Sequence, residues 1–170
     1  QDNYLVGRLP KELGSLQYLR QFDISKNKLT GTIPNSIVSL LKLSLFNIGQ
    51  NAFTGKVPSG FNLLTNLKVF QIHKNLLSGR ISDQLKTLSN LDVLDMSENN
   101  FSGKISDDFF TNMENLRVFA AGSNCFYGPI PSSICSAKKL ETLVLSGMGS
   151  GNKCRSSIWE NSIFNNTFNG

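Results

Sequence analysis

Apolar residues recur along this chain in short clusters with a fixed internal spacing. The first complete cluster, from Leu19 to Asn27, reads LxxLxLxxN when Phe22 is counted as apolar. Two apolar residues separated by one other residue point to the same face of an extended strand. Each cluster therefore predicts a short strand with one buried face, followed by a polar residue in the turn that leaves the strand.

The clusters recur with an almost constant period. Successive cluster asparagines are 24 residues apart four times and 25 residues apart once, and one further interval is 42 residues. These asparagines are Asn3, Asn27, Asn51, Asn75, Asn99, Asn124 and Asn166. A strict period of this length indicates a solenoid, here with parallel strands stacked from coil to coil. The asparagine amides can bond backbone groups of the turn in each coil, so the sequence predicts a buried asparagine ladder.

A second motif follows each asparagine and contains glycine, an apolar residue and, in most copies, proline. Its clearest copies are NKLTGTIP at residues 27–34 and NAFTGKVP at residues 51–58. Glycine permits a bend or a close approach to the next coil, and proline fixes φ where the chain starts its return path. Ser82 and Ser106 replace proline in two copies, which we interpret as local variation.

Together the two motifs resemble the plant-type class of the leucine-rich-repeat family, with the consensus LxxLxxLxLxxNxLxGxIPxx. The resemblance extends over residues 3–147. It implies an α/β fold, a right-handed leucine-rich-repeat solenoid with a curved parallel β-sheet on its concave face. Short second strands would lie beside that sheet, and 3-10 or irregular turns would form the convex side. It also implies a receptor-like protein, as in the ectodomains of receptor-like proteins and kinases.

Three segments are predicted from the period. Residues 1–147 form leucine-rich repeats of about 24 residues, residues 146–165 form an insertion loop, and residues 166–170 begin a further repeat. Both chain ends fall within a repeat, so we expect the natural protein to continue in both directions. Trp159, the only tryptophan, lies in the insertion and is expected either to pack the loop onto the solenoid or to anchor a ligand.

Strand residues that alternate with the apolar motif residues would line the concave face. The candidate ligand-binding residues are Val69, Gln71, His73, Val93, Asp95 and Val118, together with Trp159 of the insertion. They would form a groove for an extended ligand, polar at its N-terminal side and apolar near the insertion. Valine and aspartate are also common in such strands without any ligand, so a purely structural interpretation stays open.

The net charge is positive, with 17 lysines and arginines against 12 acidic residues. The basic residues are scattered and no nucleic-acid-binding motif accompanies them, so nucleic acid is not an expected partner. Lys56, Arg80 and Lys104 occupy the same position in three successive repeats and would stack at a spacing of ~5 Å. Such cations repel one another unless an anion lies along them. Either Asp83 and Asp107 neutralise them locally, or they bind a sulfated or carboxylated polysaccharide.

No set of residues predicts catalysis. His73 is the only histidine, and no nucleophile, base and orienting group can be assembled around it from the sequence. Zinc is not expected either, because the chain has one histidine and no CxxC pair. The sequence thus predicts a protein that is not an enzyme and has no cofactor or metal. No apolar run reaches the ~18 residues that a membrane-spanning helix requires.

Two N-glycosylation sequons and three cysteines bear on the cellular compartment. The sequons are at Asn100 and Asn165, and with the family resemblance they favour an extracellular or cell-surface location. Cys125 and Cys135 lie ten residues apart in one predicted coil, which a disulfide between them could staple. Cys135 could equally be a buried thiol. If the bridge forms, Cys154 would pair with a cysteine beyond residue 170.

The favoured interpretation is a non-catalytic extracellular recognition domain, part of a longer receptor-like or secreted protein. It would bind a protein or peptide ligand through its concave face. One alternative is a structural building block of an extracellular assembly or cell wall, with neighbouring subunits as permanent partners. A further alternative is a polysaccharide-binding or enzyme-inhibitor protein that uses the basic residues.

Overall fold

Two parallel sheets run along the solenoid, and each repeat contributes one strand to each of them. The computed structural model describes residues 4–81 and 85–147. Strands are numbered in chain order. The second sheet contains β1 (Val6–Gly7), β3 (Lys28–Thr32), β5 (Ala52–Gly55), β7 (Leu76–Gly79), β9 (Asn100–Gly103) and β11 (Cys125–Phe126), paired in that order. The concave sheet contains β2 (Gln21–Asp23), β4 (Leu45–Asn47), β6 (Val69–Gln71), β8 (Val93–Asp95), β10 (Val118–Ala120) and β12 (Thr142–Val144).

Equivalent positions of neighbouring repeats lie side by side in the concave sheet. Val69 of β6 pairs with Val93 of β8, and Val93 pairs with Val118 of β10. The middle residue of each strand points into the core, and the residues on either side of it point to the concave surface. The period of the sequence therefore becomes a set of straight rows across the sheet.

The core is built from the apolar residues of the repeat, with phenylalanine at several of the central strand positions. The rings of Phe22, Phe46 and Phe70 follow one another at 5.6 Å between centroids, and Phe61 from the opposite side of the coil meets Phe46 at 5.4 Å. Phe46, Phe61 and Phe70 are completely buried. Burial of large aromatic side chains, repeated in coil after coil, supplies the main stabilisation of the solenoid.

In the described part of the chain, short 3-10 helices form the convex side in four repeats. They are η1 (Lys11–Ser15), η2 (Asn35–Ser39), η3 (Ser59–Leu63) and η4 (Ser132–Ser136). Each follows a proline directly, and the prolines have φ between −72° and −53°. The fixed φ of proline directs the chain into this tight turn. After Ser106, where proline is absent, the chain forms hydrogen-bonded turns instead. Among residues 4–81 and 85–147, no helix is long and apolar enough to cross a membrane.

Candidate ligand-binding face

The ladder asparagines link each coil to the one before it. The Nδ2 of Asn75 donates to the carbonyls of Ile72 and His73, both at 3.2 Å, and to that of Ile48 in the preceding coil at 3.0 Å. Its Oδ1 accepts from the backbone N–H of Phe53 at 2.9 Å. The same bonds recur at Asn51, Asn99 and Asn124, while Asn27 accepts from Leu5 and donates within its own turn. The predicted ladder members Asn3 and Asn166 lie outside the described residues.

The residue before each of the five described ladder asparagines adopts a left-handed backbone conformation. These residues are Lys26, Gln50, Lys74, Glu98 and Ser123, with φ between 52° and 58°. Non-glycine residues rarely adopt such values, which indicates that the surrounding bonds enforce the turn. For example, the N–H of Lys74 donates to the carbonyl of Ser97 in the next coil at 3.0 Å. In its repeat, this turn directly follows His73 and ends the concave face on that side.

A row of valines crosses the middle of the concave face. It consists of Val69, Val93 and Val118, on three adjacent strands, and we call it the valine row. All three side chains are half-buried, although the neighbouring phenylalanine or leucine of each strand is fully enclosed. Strands are spaced by ~4.8 Å, so the valines form one continuous apolar strip.

Polar residues lie beside the valine row, and several of them bond to one another. This polar cluster consists of Asp23, Ser25, Asn47, Gln71, His73, Asp95 and Ser97. Oδ1 of Asp23 accepts from the N–H and the hydroxyl of Ser25 at 2.9 and 2.7 Å, and its Oδ2 accepts from Nδ2 of Asn47 at 3.0 Å. Partial burial acts to raise the pKa of Asp23, but the bonds from Ser25 and Asn47 outweigh it and hold this pKa below its ordinary value.

His73 occupies the centre of the polar cluster, over a glycine. A Cβ at Gly49 would overlap the His73 ring, so only glycine leaves room for it in this conformation. Nδ1 of His73 lies 3.4 Å from Oδ2 of Asp95 and is buried, with no hydrogen-bond partner among the described residues. Oδ1 of Asp95 accepts from the N–H and hydroxyl of Ser97 at 3.1 and 2.7 Å. The Ser97 hydroxyl is thus bonded to a carboxylate and not to the imidazole.

The stacked cations predicted from the sequence, Lys56, Arg80 and Lys104, lie elsewhere, on the second sheet, and we call them the basic column. The stems of Lys56, Arg80 and Lys104 each cross a glycine of the following coil. A Cβ at Gly79, at φ 96°, would lie 3.0 Å from Cγ of Lys56, so glycine serves both the backbone and the overlying stem. All three basic residues are exposed. They do not join the valine row or the polar cluster in one site.

A second group of cations lies outside the column that the sequence predicts. A recess at the edge of the concave sheet, where the strands begin, is lined by Arg20, Lys42 and Lys68, together with Ser44 and Asn66. Arg20, Ser44 and Lys68 directly precede β2, β4 and β6. The sequence signal for this row is the 48-residue spacing of Arg20 and Lys68, which is two repeats, at the position directly before the strand.

Further along the same edge, charges neutralise one another. Nε and one terminal nitrogen of Arg117 donate to the two carboxylate oxygens of Asp92 at 2.6 and 2.7 Å. This bidentate bond is the main reason that the pKa of Asp92 lies below its ordinary value, and nearby Lys139 and Lys68 act in the same direction. In turn, Asp92 raises the pKa of Arg117.

The predicted disulfide between Cys125 and Cys135 is wrong. Cys135 has a free and exposed thiol. It lies in η4 on the convex side, whereas Cys125 lies in β11 of the second sheet, and the outward orientation of Cys135 directs its sulfur to solvent.

Cys154, Trp159, the sequon at Asn165 and the insertion after residue 147 lie outside the described residues. Asn100 is half-buried in β9.

Residues 2–150 match the family described as "Leucine-rich repeat region". The chain therefore belongs to the leucine-rich-repeat family, and the family and the fold predicted from the sequence are confirmed. No curated protein is similar enough in sequence to count as a relative of this chain.

Solved structures of plant proteins share this fold. One is the leucine-rich-repeat ectodomain of the membrane receptor kinase GASSHO1/SCHENGEN3 from Arabidopsis thaliana in complex with CASPARIAN STRIP INTEGRITY FACTOR 2, with a TM-score of 0.81 and 29% identity over 84% of this chain and 17% of that one. Another is the Arabidopsis receptor kinase HAESA in complex with the peptide hormone IDA and the co-receptor SERK1, with a TM-score of 0.78 and 29% identity over 91% of this chain and 26% of that one.

The same architecture also occurs in a plant ice-binding protein, with a TM-score of 0.70 and 27% identity over 87% of this chain and 55% of that one. The chain thus spans between about a sixth and a quarter of the two receptor chains and about half of the ice-binding protein. Because one fold serves different functions, the fold alone does not identify a ligand for this chain.

Proposed function

We propose that these repeats are a non-catalytic recognition segment of a longer extracellular or cell-surface protein and bind an extended peptide, free or as part of a protein. The observation that carries the proposal is the valine row beside the polar cluster. A continuous strip of half-buried valines is available to apolar side chains of a ligand. Gln71, His73 and Asp95 lie next to that strip and offer polar partners.

The geometry suits a peptide that runs across the strands. Val69, Val93 and Val118 lie on three adjacent strands, so at ~4.8 Å per strand their strip is about 10 Å long. It is long enough to contact two successive same-side residues of an extended peptide, which are about 7 Å apart. Such a ligand could direct its apolar side chains at the valine row and its polar ones at the polar cluster. The similarity to receptor ectodomains in complex with a peptide hormone supports the same class of ligand for this chain.

A binding role is also favoured by the bonds around His73. A serine nucleophile would have to share its proton with the imidazole. Here the Ser97 hydroxyl donates to Asp95 at 2.7 Å. Among the described residues, no group of histidine, cysteine, aspartate and glutamate side chains is arranged to hold a metal ion.

The test is selection from a displayed library of linear peptides on the purified chain. We expect peptides with alternating apolar residues to be enriched by the wild type and by the control Ser132→Arg on the exposed convex side. Val93→Arg should enrich none of them, because its charge occupies the valine row. Equal enrichment by Val93→Arg and the wild type would refute the proposal.

The structural building block remains the second candidate. It predicts self-association of the chain, which sedimentation velocity measures directly. A monomer that selects peptides supports recognition, whereas a chain that assembles and selects no peptide supports the scaffold. The wall-polysaccharide alternative rests only on Lys56, Arg80 and Lys104, which lie away from the concave face.

A further inference from the structure

The recess at the edge of the concave sheet has an unbalanced positive charge. Arg20, Lys42 and Lys68 line it, and its other lining residues, Ser44 and Asn66, are neutral. All three basic side chains are exposed. None of the three forms an ion pair with any residue that the structure describes.

The nearest acid of the same edge is already engaged. Asp92 occupies the position equivalent to Arg20, Ser44 and Lys68 in the next repeat, and both of its carboxylate oxygens are held by Arg117. Lys68 lies near enough to lower the pKa of Asp92 but makes no ion pair with it. From Arg20 onward the row reads positive, neutral, positive, negative, positive and negative, ending with Glu141. In its second half Arg117 is paired with Asp92, whereas Arg20 and Lys68 in its first half pair with no acid among the described residues.

The neutral residues shape the recess. Arg20 and Lys68 are two coils apart, which is about 10 Å at the strand spacing, and the small side chain of Ser44 lies between them. The Ser44 hydroxyl donates to the Arg20 carbonyl at 2.9 Å, and Nδ2 of Asn66 donates to the Leu41 carbonyl at 2.8 Å. These bonds satisfy the carbonyls of Arg20 and Leu41. The cationic groups are therefore not needed as hydrogen-bond donors to them.

We propose that this recess binds the carboxylate groups of an acidic peptide segment. This inference rests on the proposed function, because Arg20, Ser44 and Lys68 directly precede the strands that a peptide would cross. A guanidinium binds a carboxylate through two parallel bonds, and two ammonium groups can neutralise a second carboxylate. Asp23 and Asp95 on the face itself repel acidic residues. The acidic part of the ligand therefore lies over the recess, and its apolar part lies over the valine row.

A direct test uses an acetylated tetraglutamate peptide as the probe and tetraglutamine as its neutral match. Binding to the purified chain is followed by calorimetry or by NMR shifts of Ser44 and Asn66 at low salt. We expect binding of tetraglutamate, little binding of tetraglutamine and a loss of affinity as salt rises. The triple variant Arg20→Gln, Lys42→Gln, Lys68→Gln should bind tetraglutamate about tenfold or more weakly.

The basic column supplies a matched control with the same change of net charge. Lys56→Gln, Arg80→Gln, Lys104→Gln should keep most of the tetraglutamate affinity, because only the field of the whole chain changes. Equal losses in the two triple variants, or no binding by the wild type, would overturn the proposal. Binding of polygalacturonate through the recess without binding of tetraglutamate would also overturn the assignment to a peptide.

The peptide library separates this inference from the proposed function. Peptides selected by the wild type should be rich in aspartate and glutamate next to their apolar residues, and the recess variant should select apolar peptides without that bias. If selected peptides depend on Val93 but show no acidic bias, the recess proposal fails and the proposed function stands. If the selection of no peptide depends on Val93, the proposed function is refuted, and the recess proposal loses the function on which it rests.

Discussion

At the scale of single residues, the ladder asparagines contribute to stability by bonding to buried backbone groups. Each of the five described ones bonds to backbone groups that no apolar side chain could satisfy, and Asn99 and Asn124 are 4% and 0% exposed. An unsatisfied buried backbone group costs about 1–3 kcal/mol. The asparagines are therefore structural residues, whose loss should affect stability before it affects any binding.

The substitution Asn99→Ala should lower the free energy of unfolding by about 3 kcal/mol. It leaves the buried N–H of Leu77 and the carbonyls of Ile72 and Met96 without their amide partner. Asn90→Ala removes one exposed bond to the Thr65 carbonyl and should cost less than about 1 kcal/mol. Urea unfolding of both variants measures the difference, and equal costs would contradict the role assigned to the ladder.

The Asp92–Arg117 pair predicts a loss of stability in acid. The pKa of Asp92 is lowered in the folded state from an ordinary value of 3.8. A lowered pKa in the folded state gives stability that is present above the unfolded value and is lost as the pH falls through the folded value. We therefore expect part of the decline in stability below about pH 4 to disappear in Arg117→Gln. Unfolding measured at pH 6 and at pH 3 tests this, and an identical acid decline in both proteins would contradict it.

At the scale of elements, each concave strand divides its residues between two environments. Phe70 of β6 is completely buried among aromatic rings, while its neighbour Val69 is half-buried on the concave face. Alternation along the strand thus separates the core on one face from the candidate ligand surface on the other.

Two neighbouring substitutions in β6 should show this separation. Phe70→Ala leaves a cavity between coils and should cost about 3–5 kcal/mol. Val69→Ala removes partly exposed area and should cost about 1 kcal/mol or less, while weakening binding of the selected peptides. Thermal unfolding and peptide binding are measured on both. A larger stability loss for Val69→Ala would contradict the assignment of the two faces.

The strands, the ladder and the core could be predicted from the sequence because each depends on a local pattern that recurs with the coil. The recess could not, because it combines two different positions of the repeat. Lys42 and Asn66 share one position, and Arg20, Ser44 and Lys68 share another, and the pattern of each position alone does not show that they line one recess. The same limit applied to Cys125 and Cys135, whose separation in sequence says nothing about which side of the coil each one faces. Likewise, the sequence placed Lys56 in a basic column without showing that its stem lies over Gly79.

At the scale of the whole molecule, each coil pairs mainly with its two neighbours. In the concave sheet, β6 and β8 each have a strand on both sides, while β2 and β12 are paired on one side in the described chain. Stability in such a structure is close to a sum of coil and interface contributions. Its local stability should therefore be highest in the middle.

Hydrogen exchange of the 170-residue chain should show that gradient. We expect the amides of Phe46 and Phe70 to exchange at least tenfold more slowly than that of Phe22, which lies in a strand with one partner. Native-state exchange measured by NMR gives these rates residue by residue. Uniform protection across β2, β4 and β6 would instead indicate that the solenoid opens as a single unit.

The glycines beneath the basic column have a consequence for how such a chain can be rearranged. Lys56 depends on Gly79, Arg80 on Gly103 and Lys104 on Gly128, always one coil ahead, while the described ladder asparagines bond to the coil before them. A 24-residue cassette moved into another array would arrive without the neighbours that both contacts require. Recombination that keeps adjacent coils together preserves these contacts, so the smallest transferable module of this protein is a pair of coils.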